Sequence, residues 1–388
     1  MARTPRIMTR WANTGLVPTL LAVVALAGCG AGPAESPDDP SSGNPFTPQM
    51  LPRCHVTSDM LFSGGAGRGG IPALVNPALV PRGHPDAQYV DDYVRLAEGR
   101  DDLPNARVVG MVVDGTPVAI PYNILWWHEI VNVELGGRVL AVTYCPLTGS
   151  AIVFDATAAG AGRFGVSGLI FRNNLVMFDV ETESLWPQMC EVAAIGSKQG
   201  TQLVRVRGFE MLWEAWKDRY PETLVVGSET GFDFDYMLYP YGFYEVDDFL
   251  LFGTQGPVDP RLPLKERVLG IPGEDGGIAL PFSTLESSGT TTIIQLATDR
   301  GTALVLWDAT AGTAAAYLPQ TVTGELVTMR TAANGFMDTE TESLWNVEGV
   351  AVEGPMTGAR LAIYDGAFVA FWFAWSQFNP DTRVWSVE

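Results

Sequence analysis

The chain has 388 residues, of which 47% are hydrophobic and 10% aromatic, enough for one large core or two moderate ones and too apolar for a largely disordered chain. It carries 44 acidic against 24 basic residues, a formal net charge of −20. That balance excludes nucleic acid as a partner, because phosphates need a basic surface, and it excludes electrostatic adhesion to anionic lipid.

Residues 1–28 have the layout of a signal peptide: Arg3, Arg6 and Arg10, no acidic residue, then LVPTLLAVVALAG, a run too short to remain as a membrane-spanning helix. The run ends in Leu26-Ala27-Gly28-Cys29, which resembles the lipobox of bacterial lipoproteins and makes Cys29 the expected lipidation site; the plainer alternative is an ordinary secretory signal with a chance cysteine. Residues 29–55, rich in Pro, Gly, Ser and Asp, read as a flexible tether. The expected location is therefore extracytoplasmic, on the periplasmic side of the outer membrane or at the cell surface, with the membrane as partner through the lipid. Beyond Cys29 the chain keeps Cys54, Cys145 and Cys190, an odd number, so at most one internal disulfide forms and its pairing stays open.

An internal duplication organises the rest. ETESLW occurs at 181–186 and at 340–345; RVVGMVVDGTPVAIPY (107–122) faces RVLGIPGEDGGIALPF (267–282), and YPETLVV (220–226) faces NPDTRVW (379–385). The spacing of Phe209, Leu212, Trp213 and Trp216, repeated by Phe368, Phe371, Trp372 and Trp375, predicts one amphipathic helix in each copy, stopped by Pro221 and Pro380, with the tryptophans in the core. Asp114-Gly115 and Gly136-Gly137 between β-branched runs predict hairpins. The expected fold class is α+β, predominantly β: two tandem homologous β-rich modules, each ending in a short amphipathic helix. Their bounds are 56–228, with a site, and 229–388, degenerate.

The copies differ where chemistry would lie. PYNILWWHEIVNV in the first faces PFSTLESSGTTTI in the second, so His128 faces Ser288; TYCPLTGSA (143–151) faces LWDATAGTA (306–314), so Cys145 faces Asp308. At these stretches, with SGGAGRGGIPALVNPALV (63–80), NNLVMFDVETESLWPQ (173–188) and PYGFY (240–244), the chain resembles the bacterial and archaeal domain of unknown function family 3179 over roughly residues 63–285. The resemblance implies no activity. It implies a second cysteine in a CPLCG loop, where this chain has Thr148, so a two-cysteine redox or metal site is incomplete here.

Several chemistries remain as expectations. His128-Glu129 begins like a zinc-protease HExxH, but Asn132 stands where the second histidine belongs. His128, Cys145 and a third ligand, Cys190 or Met189, would suit a soft ion such as copper, or zinc. Cys145 with His128 would alternatively serve as the catalytic pair of a thiol enzyme, redox or nucleophilic. The bland readings are that Cys145 is a buried small hydrophobe, that His128 caps a local turn, and that the protein is a structural envelope component. Asp179, Glu181 and Glu183 resemble paired hydrolase carboxylates, but their recurrence in the second copy assigns them to a turn. The aromatic, acidic run 232–249 reads as a surface loop for a cationic or sugar-like ligand, and the family resemblance implies that Arg172, Asn173 and Asn174 line the same cleft between the copies. No phosphate loop or nucleophile elbow occurs: GVSGL (165–169) lacks the G-x-S-x-G spacing. The leading function is a lipid-anchored extracytoplasmic protein that binds a soft metal ion or small ligand at the His/Cys site.

Overall fold

A computed structural model describes residues 54–387; the expected signal peptide, Cys29 and nearly all of the expected tether lie outside the described residues. The chain order is β1 (Phe62–Ser63), β2 (Leu74–Val75), β3 (Leu79–Pro81), α1 (Gln88–Ala97), β4 (Arg107–Val113), β5 (Thr116–Pro121), α2 (Tyr122–His128), β6 (Ile130–Leu135), β7 (Arg138–Cys145), β8 (Ser150–Asp155), β9 (Phe164–Phe171), β10 (Asn174–Asp179), β11 (Leu185–Pro187), β12 (Val204–Arg205), β13 (Phe209–Leu212), α3 (Trp213–Arg219) and β14 (Leu224–Val226). It continues with β15 (Arg267–Ile271), β16 (Ile278–Pro281), α4 (Phe282–Ser288), β17 (Thr291–Thr298), β18 (Gly301–Asp308), β19 (Thr313–Thr321), β20 (Met329–Ala332), β21 (Gly335–Asp338), β22 (Leu344–Trp345), β23 (Ala351–Glu353), β24 (Leu361–Ile363), β25 (Phe368–Phe371), α5 (Trp372–Phe378) and β26 (Arg383–Val384). The protein is mostly β, with five short α-helices among the described residues.

Both expected hairpins form. Asp114 and Gly115, then Gly136 and Gly137, all take left-handed backbone, the two-residue turn whose twist suits antiparallel strands. Among the described residues the strands form six sheets. Three lie before residue 227, in the orders β13-β4-β5-β14-β3, β12-β8-β7-β6-β2 and β1-β9-β10-β11; three lie after residue 266, in the orders β25-β15-β16-β26, β17-β18-β19-β24 and β20-β21-β22-β23.

The helices begin later than the apolar spacing predicted. Phe209 and Leu212, like Phe368 and Phe371, lie on strands β13 and β25, and helix starts only at Trp213 and Trp372. Residues on one face of a short strand that runs straight into a helix mimic an i, i+3, i+4 series, which is why the periodicity overran the junction. The core assignment holds: Trp213, Trp216, Trp372 and Trp375 are fully buried. Gly110 and Gly270, midway along β4 and β15, make room for two of these rings, since a Cβ at either would sit 2.2 Å from the indole of Trp216 or Trp375.

The parts before and after residue 227 grip each other reciprocally. Leu212 N–H donates to Ala311 O at 2.9 Å, and Phe371 N–H donates to Thr148 O at 2.8 Å. Beneath each contact is a left-handed turn glycine: Gly312 lies against the Leu212 side chain and Gly149 against the Phe371 ring. Residues 228–266 contain no strand or helix and run back over the first part: Asn123 Nδ2 donates to Tyr236 O at 2.8 Å, Trp127 stacks on Phe234 at 4.7 Å, and Asn173 Nδ2 donates to Gly253 O at 3.1 Å. Among the described residues, no helix is long and apolar enough to cross a membrane.

Candidate functional site

The three expected metal ligands do not converge. Cys190 is bonded to Cys54 in a disulfide and is withdrawn from any ligand set; this pairing also answers the cysteine arithmetic, leaving Cys145 as the free thiol. His128 is fully buried and both ring nitrogens are engaged. Nδ1–H donates to Pro72 O at 2.7 Å, and Nε2 accepts from the Tyr236 hydroxyl at 2.7 Å, which in turn is 2.5 Å from Thr230 Oγ1. Burial lowers its pKa to about 4, against the opposing Pro72 bond, so it stays neutral. Its work is to pin the segment before β2 and the loop at 230–236 to the end of α2. Among the described residues no group of three His, Cys, Asp or Glu side chains is placed to hold a metal ion.

Cys145 has different neighbours. Its Sγ accepts from Leu175 N–H at 3.3 Å and lies 3.7 Å from Asn173 O. Burial pushes the thiol up to about 11, and the nearby Glu129 carboxyl adds to this. Thr148 lies beside it and enters a satisfied buried network: Asn174 Nδ2 donates to Thr148 Oγ1 at 3.1 Å and to Gln188 Oε1 at 2.9 Å, and Gln188 Nε2 donates to Thr143 Oγ1 at 2.9 Å.

Glu129, which the sequence offered only as part of a failed protease motif, is the unusual group. It follows α2 with φ 56°, a left-handed backbone that costs a non-glycine residue about 1 kcal/mol or more; the residue after α4, in the same place, is Gly289. Its carboxyl is buried, accepts a hydrogen bond from Tyr241, and is pushed up to about 8 by desolvation, which outweighs that bond. Next to Cys145, Arg172 and Asn173 form the left-handed turn between β9 and β10, and Asn173 Oδ1 is buried without a partner. Arg172 reaches Gln377 O at 2.8 Å, so this turn meets the second part of the chain. Glu129, Cys145 and Tyr241 thus lie together, with burial favouring the protonated form of both the carboxyl and the thiol, and Asn173 meets the thiol through its backbone carbonyl.

The other face of β7 carries a charged cluster that the sequence reading missed. Arg267 donates to Glu210 Oε2 at 3.1 Å and to Glu245 Oε2 at 3.3 Å; Tyr122 donates to Glu210, and Tyr144 to Glu245 Oε1 at 3.2 Å. Arg107 donates to Gly312 O at 2.9 Å. Charges at the head of two apolar strands, Arg107 and Arg267, were the available signal.

The remaining expectations divide cleanly. Asp179 and Asp338, both fully buried, each accept from the backbone of the ETES turn and from the following tryptophan, so the carboxylates there organise a turn in both places. In the run 232–249, Tyr236, Tyr239 and Tyr244 are buried, whereas Phe232, Leu238, Phe243, Val246 and Phe249 are exposed, so the loop is half anchor and half surface.

Fold and site together define a β-rich protein with a buried, neutral polar site between strand layers. The chain belongs to the family described as protein of unknown function DUF3179, whose profile matches residues 68–382. The match runs well beyond residue 285, where the sequence resemblance was expected to stop, and takes in β15 through β25. No curated protein and no solved structure matches the chain.

Proposed function

We propose that this protein is a lipid-anchored, extracytoplasmic binding protein that takes a small, uncharged, hydrogen-bonding ligand at Glu129, Cys145, Tyr241 and Asn173. The observation that carries the proposal is Glu129: a carboxyl kept on strained backbone where glycine serves after α4, buried, and favoured in its protonated form beside Tyr241 and the Cys145 thiol. Two donors and one acceptor without charge fit a neutral ligand better than an ion. A soft-metal site, for copper or zinc, is disfavoured because Cys190 is in a disulfide and both ring nitrogens of His128 are engaged by Pro72 O and Tyr236. A thiol enzyme needs thiolate, which burial disfavours at Cys145. The anchor is supported by the Leu26-Ala27-Gly28-Cys29 sequence.

The test is native mass spectrometry on protein extracted in detergent from its own membrane, wild type beside Glu129→Gly and Asn173→Gly, both compatible with the left-handed backbone. A retained small molecule that both variants lose supports the site. Retention of nothing, or of a molecule indifferent to both substitutions, overturns it. The mass of the N-terminal peptide tests the lipid on Cys29 in the same sample.

A further inference from the structure

The sheets before residue 227 have edge strands that those after residue 266 lack. β2 pairs in parallel with β6, Leu74 facing Val131 and Val75 facing Asn132. β3 pairs antiparallel with β14, Val80 facing Val225. Both strands come from one short segment, residues 74–81. The corresponding edges in the second part, β17 and β26, have no strand beside them among the described residues. With β7 matched to β18 as Cys145 faces Asp308, register makes Gln295, across from Leu304, the counterpart of Asn132, across from Ala141. This is three residues beyond the ungapped match that starts from α2 and α4. β14 and β26 each run parallel to the second strand of their hairpin.

The chain that would supply the missing segment is diverted, because residues 230–255 pack on α2 and on the β9–β10 turn. The pinning residues are missing too. His128, which bonds Pro72 O just before β2, is replaced by Ser288. Asn132 Nδ2 donates to Leu74 O at 3.1 Å and is buried, whereas the side-chain amide of Gln295 is exposed. β17 reads TTIIQLAT over eight residues, with no proline, charge or bulge of the kind that guards a free edge.

We infer that the edges of β17 and β26 are an interaction surface for an extended segment of a partner protein, uncharged and rich in branched apolar residues, that pairs in parallel with β17 and antiparallel with β26. The inference rests on the two parts of the chain being copies of one module. Residues 74–81 define the occupant's chemistry: LVNPALVP holds two short strands joined through a left-handed Asn76, and no charged side chain. Main-chain hydrogen bonds supply the affinity and the exposed Gln295 amide marks the register.

A fluorescent peptide with the sequence of residues 71–81 is the probe, titrated against the detergent-solubilised full chain, with hydrogen exchange locating the contact. The expected result is saturable binding with new protection in 291–298 and at 383–384, weakened at least about tenfold by Gln295→Lys with Ala297→Lys. Both positions are exposed, and an unchanged melting temperature certifies the variant's fold. Three results overturn the inference: no binding; protection confined to 130–135, which means displacement of the chain's own β2; or protection, before peptide is added, of those 291–298 amides that point away from β18, which assigns the edge to a second copy or to residues upstream of Cys54.

Discussion

The indole N–H of Trp186 and the carboxylate of Asp179, seven residues upstream, meet at 2.9 Å in the core, and the same carboxylate accepts the backbone N–H of Ser184 at 3.1 Å. Trp345 and Asp338 repeat the arrangement at 2.8 Å. Asp179→Leu or Asp338→Leu leaves a buried indole and turn amides without an acceptor and should each cost about 2–4 kcal/mol, several orphaned donors at about 1–3 kcal/mol apiece being partly relieved by relaxation. Urea unfolding of the two variants checks this, and a loss under 1 kcal/mol at both sites would refute it.

The buried Glu129 gives a pH dependence with a definite sign. Its folded pKa, about 8, lies above the unfolded value of about 4.3, so the native state holds the proton more tightly. The stability this contributes is present below pH 4 and is lost as pH rises through 8, on the order of a few kcal/mol across the window. Melting curves from pH 5 to 9 should fall more steeply for wild type than for Glu129→Gln. Parallel curves would place the titration elsewhere.

Cys145 should resist alkylation in the folded protein. With the thiol at about 11, only about one molecule in ten thousand is thiolate at pH 7, and the sulfur is buried. Iodoacetamide labelling followed by mass spectrometry should find it unmodified until denaturant is added. Rapid labelling in native buffer would restore the thiol-enzyme reading.

Arg267 neutralises two buried carboxylates, so Arg267→Met should cost about 3–5 kcal/mol by stranding Glu210 and Glu245. Adding Glu210→Gln and Glu245→Gln to the same chain should return part of the loss. Thermal unfolding of the single and triple variants is the measurement, and equal melting points for the two would argue against an ionic role.

Gly110→Ala and Gly270→Ala should be alike in effect, because each introduces a methyl 2.2 Å from a tryptophan ring. Overpacking of this kind costs about 1–3 kcal/mol or more. Calorimetry that found one harmless and the other damaging would show that the two sites are not packed equivalently.

Much of the fold was legible because short-range rules govern it. Asp114-Gly115 and Gly136-Gly137 marked their hairpins by backbone preference alone, and the tryptophans at 213, 216, 372 and 375 marked the core. The strand-to-helix junctions at Leu212 and Phe371 were illegible, since a face of β-strand joined to a helix carries no break in apolar spacing. The site was half visible. Cys145 and His128 stood out by chemistry, but which partners each would meet depends on Asn173, Pro72 and Tyr236, residues 28 to 108 positions away. Glu129 betrayed itself only by facing a glycine, and a single backbone angle is not written in composition or periodicity.

The disulfide between Cys54 and Cys190 also decides how tension travels. A pull on the chain upstream of Cys54 passes through the covalent bond straight to Cys190 and enters the protein beyond β11. The backbone between the two cysteines, including β1, β2, β3 and Glu129, forms a closed loop outside that covalent path. Force applied at the amino-terminal side of Cys54 thus bypasses the backbone of β1, β2 and β3 and does not peel these short strands from their sheets.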